Sequence, residues 1–289
     1  MKFKYLPFIP ILLVSSCSSI NDDSFKISCS FAPIYDFVKN IVGDKAEVRC
    51  IVGNNEPHDF SLNDMRKREF IEKSDIFFTY GAGVDVWTDN LLAKDNYEIT
   101  KDVNLLSHDG SIDPHAWLSI NYVKEFMISI TNKIIEKDDI NSEYYTSNLQ
   151  KTLQNLNIFD LECKKIFSES NLKSRIIVTS HEAFYYFCND YNLVQKGIKN
   201  IANHEPSTKE LNEIIAYIKN NDIHTIFVES LDETEYVNTV VNELKRNNYE
   251  INLATLDAYE TVTESTYVNR TYLDVMYENL NTLKENLLW

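Results

Sequence analysis

The chain has 289 residues, of which 44% are hydrophobic and 25% charged, which is the composition of a globular protein long enough for two domains. Its formal net charge of -16 argues against nucleic acid as a partner, because phosphate binding needs clustered Lys and Arg side chains. With only six Gly and six Pro residues, the sequence also argues against a long flexible linker.

The first residues predict an export signal rather than a part of the fold. Two lysines precede a mostly apolar stretch over residues 5–14, which is too short to span a bilayer as a helix. Two serines then directly precede Cys17, and small residues before a Cys at the end of a signal are similar to a bacterial lipobox. We therefore predict a signal peptide over residues 1–17 and lipidation of Cys17, with an ordinary cleaved signal as the alternative. Either way, the protein is expected outside the cytoplasm.

Four cysteines remain after Cys17, and the sequence leaves their redox state open. An even number in an oxidising compartment permits disulfides, and Cys29 and Cys50 lie on neighbouring predicted strands. Cys163 with Cys188 is the other possible pair, and four small buried thiols are the simpler alternative. The cysteines show no CxxC or CxH spacing, so a cysteine metal site is not favoured.

Strand-like apolar runs alternate with helical patterns in the first part of the chain. The predicted strands are residues 26–32, 46–52 and 75–80, and the predicted helices are 33–43, 61–72, 84–94 and 122–136. Pro33 suits the first turn of its helix, Gly43 suits its end, and Ser61 is a plausible N-cap. Such a βαβ series predicts a parallel sheet covered by helices.

A long polar segment, residues 142–168, has apolar residues at helical spacing and contains no Gly or Pro. It predicts one long helix between two lobes, with two shorter helices broken near Leu156 as the alternative. We therefore divide the mature chain into an N-terminal lobe over residues 18–141, a linking helix over 142–170 and a C-terminal lobe over 171–289.

A second βα series follows the predicted linking helix. Its predicted strands are residues 175–179, 224–229 and 251–256, and its predicted helices are 183–191, 207–220, 235–247 and 267–288. Ser207 followed by Glu210 fits a capping box at the start of one of these helices. The predicted fold class is therefore α/β, with two parallel-sheet lobes joined by one long helix.

Three histidines and one aspartate stand where a ligand site would be built. His58 and Asp257 follow predicted strands, His181 lies at the carboxyl end of one, and His115 precedes a helix. Open α/β sheets bind ligands beyond the carboxyl ends of their strands, so the first three side chains are expected at one crevice. Three imidazoles and one carboxylate suit a divalent transition metal. The remaining histidines are expected on the surface: His108, His204 and His224.

Five short motifs, in this order and on these elements, resemble the solute-binding proteins of zinc and manganese ABC importers. They are Glu56-Pro57-His58-Asp59, Gly81-Ala82-Gly83, Asp113-Pro114-His115-Ala116-Trp117-Leu118, Thr179-Ser180-His181-Glu182-Ala183-Phe184 and Glu205-Pro206-Ser207. The resemblance covers essentially the whole mature chain. It implies two lobes linked by a rigid helix, with Zn²⁺ or Mn²⁺ held in the interlobe cleft. By motif, His58 and His115 would be ligands from the first lobe, and His181 and Asp257 from the second.

The last of these ligands departs from the family pattern. Ala258 stands where the family often has a Pro after the ligand. Glu229 and Asp232 are nearby competitors of Asp257, although Glu229 is expected to form hydrogen bonds within the second lobe.

Two features of the sequence bear on the choice of metal. In this family a His at position 181 commonly accompanies zinc, and a Glu accompanies manganese. Many zinc importers also carry a long loop rich in His and acidic residues between the first two ligands, and the interval from His58 to His115 contains none. On balance the resemblance favours zinc.

We therefore expect a monomeric lipoprotein in the periplasm or at the cell surface, which binds the transported ion and delivers it to an ABC permease in the cytoplasmic membrane. A hydrolytic metalloenzyme is the first alternative, because a metal can activate water. Four protein ligands would fill a tetrahedral site, however, and the sequence contains no HExxH motif, so no enzyme is expected. A metal-binding surface adhesin and a relative that binds siderophores or other metal chelates are the remaining alternatives.

Overall fold

A computed structural model describes residues 24–53, 60–108, 110–168, 172–201, 204–229, 235–260 and 270–288. The predicted ligand His58, the competing carboxylate Asp232 and the predicted lipidation site Cys17 lie outside these residues, as does the predicted signal peptide. No helix within the described ranges combines the length and the apolar character needed to cross a bilayer.

The first lobe is built on a parallel sheet. Its strands are β1 (Lys26–Cys29), β2 (Glu47–Cys50), β3 (Ile76–Thr79) and β4 (Asn96–Glu98). They lie in the order β2-β1-β3-β4, and every neighbouring pair is parallel. A two-stranded antiparallel ladder follows, made of β5 (Ser107–His108) and β6 (Ser111–Ile112).

Three helices cover this sheet: α1 (Ala32–Val42), α2 (Met65–Lys73) and α3 (Ile120–Lys137). As predicted, α1 has Pro33 in its first turn and is followed by Gly43, whose φ of 55° is easy only for glycine. The prediction that Ser61 is the N-cap of α2 is wrong. The side chain of Asp64 caps this helix instead, by accepting the backbone N–H of Arg66 at 2.8 Å.

The predicted helix over residues 84–94 is also wrong, since only Val86–Thr88 is helical, as a single 3₁₀ turn. Asp85 explains the difference. Its carboxylate accepts the backbone N–H groups of Tyr80, at 2.6 Å, and Gly81, at 2.9 Å, and so it holds the preceding turn instead of starting a helix.

Residues 142–168 form one uninterrupted helix, α4 (Ser142–Ser168), as the spacing predicts. The alternative of a break near Leu156 is wrong. Leu156 is itself buried on the inner face of this helix, together with Phe159 and Cys163.

The second lobe contains another parallel sheet. Its strands are β7 (Ile176–His181), β8 (Val194–Lys199), β9 (Thr225–Val228) and β10 (Asn252–Thr255). Its helices are α5 (Tyr185–Tyr191), α6 (Thr208–Asn220), α7 (Glu235–Arg246) and α8 (Tyr272–Leu287). The predicted capping box is present at α6, where Ser207 and Glu210 exchange hydrogen bonds.

The two sheets share one strand order. In the second lobe it is β10-β9-β7-β8, so in both lobes the third strand in sequence pairs with the first, on the side away from the second. In such sheets the ligand crevice lies at the carboxyl ends of these two strands. The α/β class with two parallel-sheet lobes and one long helix is therefore confirmed.

The cysteines in the described residues are free thiols. Cys29 and Cys50 are register partners on β1 and β2, whereas Cys163 and Cys188 are buried on α4 and α5.

Candidate metal centre

His115 lies in a short loop that follows β6 and is held from both lobes. Asp113 Oδ1 accepts the backbone N–H of His115 at 2.9 Å and lies 2.8 Å from its Nδ1. The hydroxyl of Tyr80, from the first lobe, donates to the carbonyl of Pro114 at 2.6 Å, and that of Tyr186, from the second, donates to the carbonyl of Asp113 at 2.9 Å. The imidazole is 1% exposed, so its position is fixed by buried contacts.

His181 is the last residue of β7, and Glu229 directly follows the adjacent strand β9. Because the two strands are parallel neighbours, their carboxyl ends bring the side chains together, and Glu229 Oε1 pairs with Nδ1 of His181. Ser180 Oγ also lies 3.5 Å from the same carboxylate oxygen. The expectation that Glu229 forms hydrogen bonds within the second lobe is therefore confirmed.

The two imidazoles meet at one carboxylate, that of Glu260. Its Oε1 lies 3.2 Å from Nε2 of His115 and 3.7 Å from Nε2 of His181, and the two ring centroids are 5.5 Å apart. Among the described residues, these three side chains form the only group whose possible ligand atoms all lie within 4.8 Å of one another. Each imidazole has Nδ1 against a carboxylate, which leaves Nε2 to coordinate a metal when the ring is neutral.

Asp257 does not belong to this group. Its Oδ2 is 2.5 Å from Nη1 of Arg270, and its Oδ1 accepts the backbone N–H of Tyr259 at 2.7 Å. The strand end and the motif both point to Asp257, and neither points to Glu260, three residues later. The sequence signal that could have identified Glu260 is that it is a second carboxylate in the same loop, directly after the turn at Tyr259.

The other histidines of the described chain lie apart from the centre. His204 is exposed, and His224 is exposed and stacks on Tyr249, as expected of surface residues. The surface expectation for His108 is wrong, because this half-buried side chain reaches the other lobe. Its Nε2 is 3.6 Å from Glu182, and its ring packs against Tyr185.

The electrostatics of the centre favour a cation. Burial opposes the charged form of His115, but hydrogen bonds to Asp113 and Glu260 outweigh it and raise the pKa of His115 to about 9. Burial likewise opposes a charge on His181, yet Glu229 and Glu260 raise its pKa well above the ordinary value. Burial alone would raise the pKa of Glu260, but the two imidazoles lower it. The surrounding carboxylates therefore favour positive charge at both rings, and a metal cation would compete with protons for these positions.

Two parallel-sheet lobes on one long helix, with His115 from one lobe meeting His181 and Glu260 from the other, are the architecture of a two-lobed solute-binding protein. The model of the family described as zinc-uptake complex component A, periplasmic, matches residues 27–286. The chain belongs to this family, and the resemblance inferred from its motifs is confirmed. Members of the family are solute-binding proteins of ABC transporters and are not enzymes.

Three relatives are distant in sequence but align over nearly their full length. The manganese-binding lipoprotein MntA of Halalkalibacterium halodurans is 25% identical, over 99% of this chain and 98% of its own. The high-affinity zinc uptake protein ZnuA of Bacillus subtilis is 24% identical, over 96% and 94%. Among solved structures, AdcAII of Streptococcus pneumoniae is 28% identical with a TM-score of 0.82, over 91% of this chain and 99% of that protein. The relatives thus include both zinc and manganese proteins.

Proposed function

We propose that this protein is the extracytoplasmic substrate-binding component of an ABC importer for a divalent transition metal, with zinc as the preferred ion and manganese as the alternative. The proposed ligands are His115, His181 and Glu260, together with the predicted ligand His58. The observation that carries the proposal is the pair of imidazoles, each with Nδ1 held by a carboxylate, whose Nε2 atoms face one oxygen of Glu260.

The donor set supports zinc over manganese. Imidazole nitrogens suit zinc, whereas manganese prefers sites rich in carboxylate, carbonyl and water oxygens. With His58, the site would offer three imidazoles and one carboxylate, which fit the four-coordinate geometry typical of zinc. Glu260 takes the role that the sequence assigned to Asp257, since its oxygen faces both rings and the carboxylate of Asp257 is paired with Arg270.

Capture at such a centre is an exchange of the metal for protons. The ligands must be neutral imidazoles and an ionised carboxylate, so protons compete with the metal and binding weakens as the pH falls. Permease docking would then separate ligands that come from different lobes, and so release the ion. In this proposal the protein is a monomer, anchored to the membrane by a lipid on Cys17, and its partner is the permease.

Metal titration with matched variants tests the proposal. The mature chain, stripped of metal, is titrated with zinc and manganese against a competing chelator. We expect one tight equivalent, with zinc bound more tightly. Because four ligands share a binding free energy on the order of 12 kcal/mol, Glu260→Gln and His115→Ala should each lower zinc affinity roughly a hundredfold. His224→Ala, an exposed histidine outside the centre, is the matched control and should bind as the unsubstituted protein does. The absence of stoichiometric binding, or unchanged affinity in Glu260→Gln, would contradict the assignment.

A further inference from the structure

Hydrogen bonds fix the chain between Asp257 and the site carboxylate at three consecutive residues. Asn279, on α8, accepts the backbone N–H of Asp257 at 2.8 Å and donates to its carbonyl at 2.8 Å. Trp117 Nε1, from the first lobe, donates to the carbonyl of Ala258 at 2.8 Å. The backbone N–H of Tyr259 donates to Asp257 Oδ1 at 2.7 Å. So many buried bonds on one short segment leave the next residue little freedom of position.

The turn at Tyr259 is an uncommon one. Its φ is 59° and its side chain is 1% exposed, so a bulky buried residue adopts a left-handed conformation that costs energy for any residue with a Cβ. Such a conformation persists only where the surroundings impose it. Asp257 does so here, because its side chain accepts the N–H two residues on, as aspartates do in Asx turns.

Arg270 in turn fixes the carboxylate of Asp257. Its Nη1 donates to Asp257 Oδ2 at 2.5 Å, while its other nitrogens pair with Glu278 on α8. The carbonyl of Arg270 also lies 3.5 Å from the hydroxyl of Tyr259. The guanidinium therefore connects the middle of α8 to the turn, and it binds the Asp257 oxygen that does not accept the N–H of Tyr259.

We propose that Asp257 and Arg270 are positioning residues, which hold the left-handed turn at Tyr259 so that a single oxygen of Glu260 faces both imidazoles. This inference rests on the metal site proposed above. One fixed carboxylate oxygen beside imidazoles suits a compact tetrahedral ion. A carboxylate free to rotate could offer both oxygens, and this favours an ion that takes more oxygen ligands. The Asp257–Arg270 pair thus determines how strongly the site prefers zinc to manganese.

Three variants of the full mature chain test this role: Arg270→Gln, Asp257→Asn and Asp257→Ala. Each is titrated with zinc and with manganese against a chelator. Residues that orient a metal ligand typically change affinity by about 10- to 100-fold. We expect Arg270→Gln to lower zinc affinity about tenfold and manganese affinity by less, so that the ratio of zinc affinity to manganese affinity falls. Asp257→Ala should lose about a hundredfold, and Asp257→Asn clearly less, because its amide oxygen can still accept the N–H of Tyr259.

The opposite outcomes are equally specific. If Asp257 were itself a ligand, Arg270→Gln would free its carboxylate and leave zinc affinity unchanged or raised, and the Asn and Ala variants would lose the same amount. Equal losses for zinc and manganese in Arg270→Gln would show a merely structural role. The control is Arg246→Gln, which removes an exposed pair with Glu243 and should leave both affinities unchanged.

Glu260→Gln separates this inference from the function on which it rests. If that variant binds zinc normally, the proposed ligand set fails. If it loses zinc while Arg270→Gln retains the normal ratio of zinc to manganese affinity, only the positioning role fails.

Discussion

The two lobes share a strand order, but their sheets are covered very differently on the outer face. Counting only residues that the structure describes, α6 and α7 in the second lobe close over a cluster of eleven buried apolar residues, such as Ile218 and Leu244. In the first lobe, the described part of the outer cluster that includes part of α2 has three: Ile51, Ile71 and Phe77. Two sheets with the same strand order can therefore differ in how much apolar surface is packed on their outer faces.

The inner faces of both sheets, by contrast, belong to one continuous core. Alternate residues of a strand point to opposite faces, so Ile177 joins this shared core while its neighbour Val178 joins the outer cluster. The shared core contains residues of α1, α3, α4, α5 and α8, so the linking helix is packed inside it. We infer that the lobes are joined rigidly on the inside, and that the outer cover of the first lobe is the region most easily opened.

The largest effect should come from truncating the two outer clusters in parallel. Leu244→Ala should lower the free energy of unfolding by about 4 kcal/mol, because the cavity lies in a dense cluster that cannot collapse around it. Ile71→Ala should cost about 2 kcal/mol, because its thin cluster can relax. Urea denaturation measures both, with Leu161→Ala, 66% exposed, as the control expected within about 0.5 kcal/mol of the unsubstituted protein. Equal losses of unfolding free energy in Leu244→Ala and Ile71→Ala would contradict the difference in packing between the two outer clusters.

This contrast also explains what the sequence could predict. The apolar spacing of residues 142–168 predicts the observed bounds of α4, because this spacing follows from burial in the shared core. Both missed strands of the main sheets, β4 and β8, lie at sheet edges. They are partly exposed and mostly polar, so neither shows the apolar run that marks a buried strand.

At the metal centre, sequence reasoning selected His115 and His181, which the structure brings together. Each follows from a local rule, a strand end or a motif. Glu260 does not, because its position depends on the left-handed turn at Tyr259 and on bonds from Asn279, twenty-two residues from Asp257, and from Trp117 in the other lobe. Such contacts arise only after the chain has folded.

A smaller effect on the free energy of unfolding is expected from Asp36, where the first lobe contacts the start of α8. Asp36 on α1 accepts a hydrogen bond from Asn40 at 2.9 Å and another from the backbone N–H of Tyr272. Burial raises the pKa of Asp36 to about 7, with Asp274 adding to the increase. The native state therefore holds a proton that the unfolded state lacks between about pH 4 and pH 7, so the free energy of unfolding falls as the pH rises through this range.

Asp36→Asn should remove that decline, because its amide keeps the acceptor and carries no charge. Asp36 is partly exposed, so we discount the full shift. From about pH 5 to about pH 8, the unsubstituted protein should lose about 2 kcal/mol more of its unfolding free energy than the variant does. Denaturation at both pH values measures the difference, with Asp44→Asn, an exposed carboxylate, as the matched control. Parallel pH profiles for the protein and Asp36→Asn would contradict the assignment.

The smallest effect tests the rigid joining of the lobes directly. The hydroxyl of Tyr272, on α8, donates to the carbonyl of Trp117 in the first lobe at 2.7 Å, inside the shared core. Tyr272→Phe removes only this bond and should lower the free energy of unfolding by about 1 kcal/mol. Tyr122→Phe is the control, since it loses a similar bond, to the carbonyl of Asn104, which is exposed and lies within one lobe.

If the shared core couples the lobes, Tyr272→Phe should shift one cooperative transition to lower urea concentration without dividing it. The control should shift by less than about 0.5 kcal/mol, because water can replace the lost partner of an exposed carbonyl. Fluorescence and circular dichroism followed on the same samples distinguish these cases. Two separate transitions in either protein would mean that the lobes unfold independently, and that the continuous core does not transmit stability from one sheet to the other.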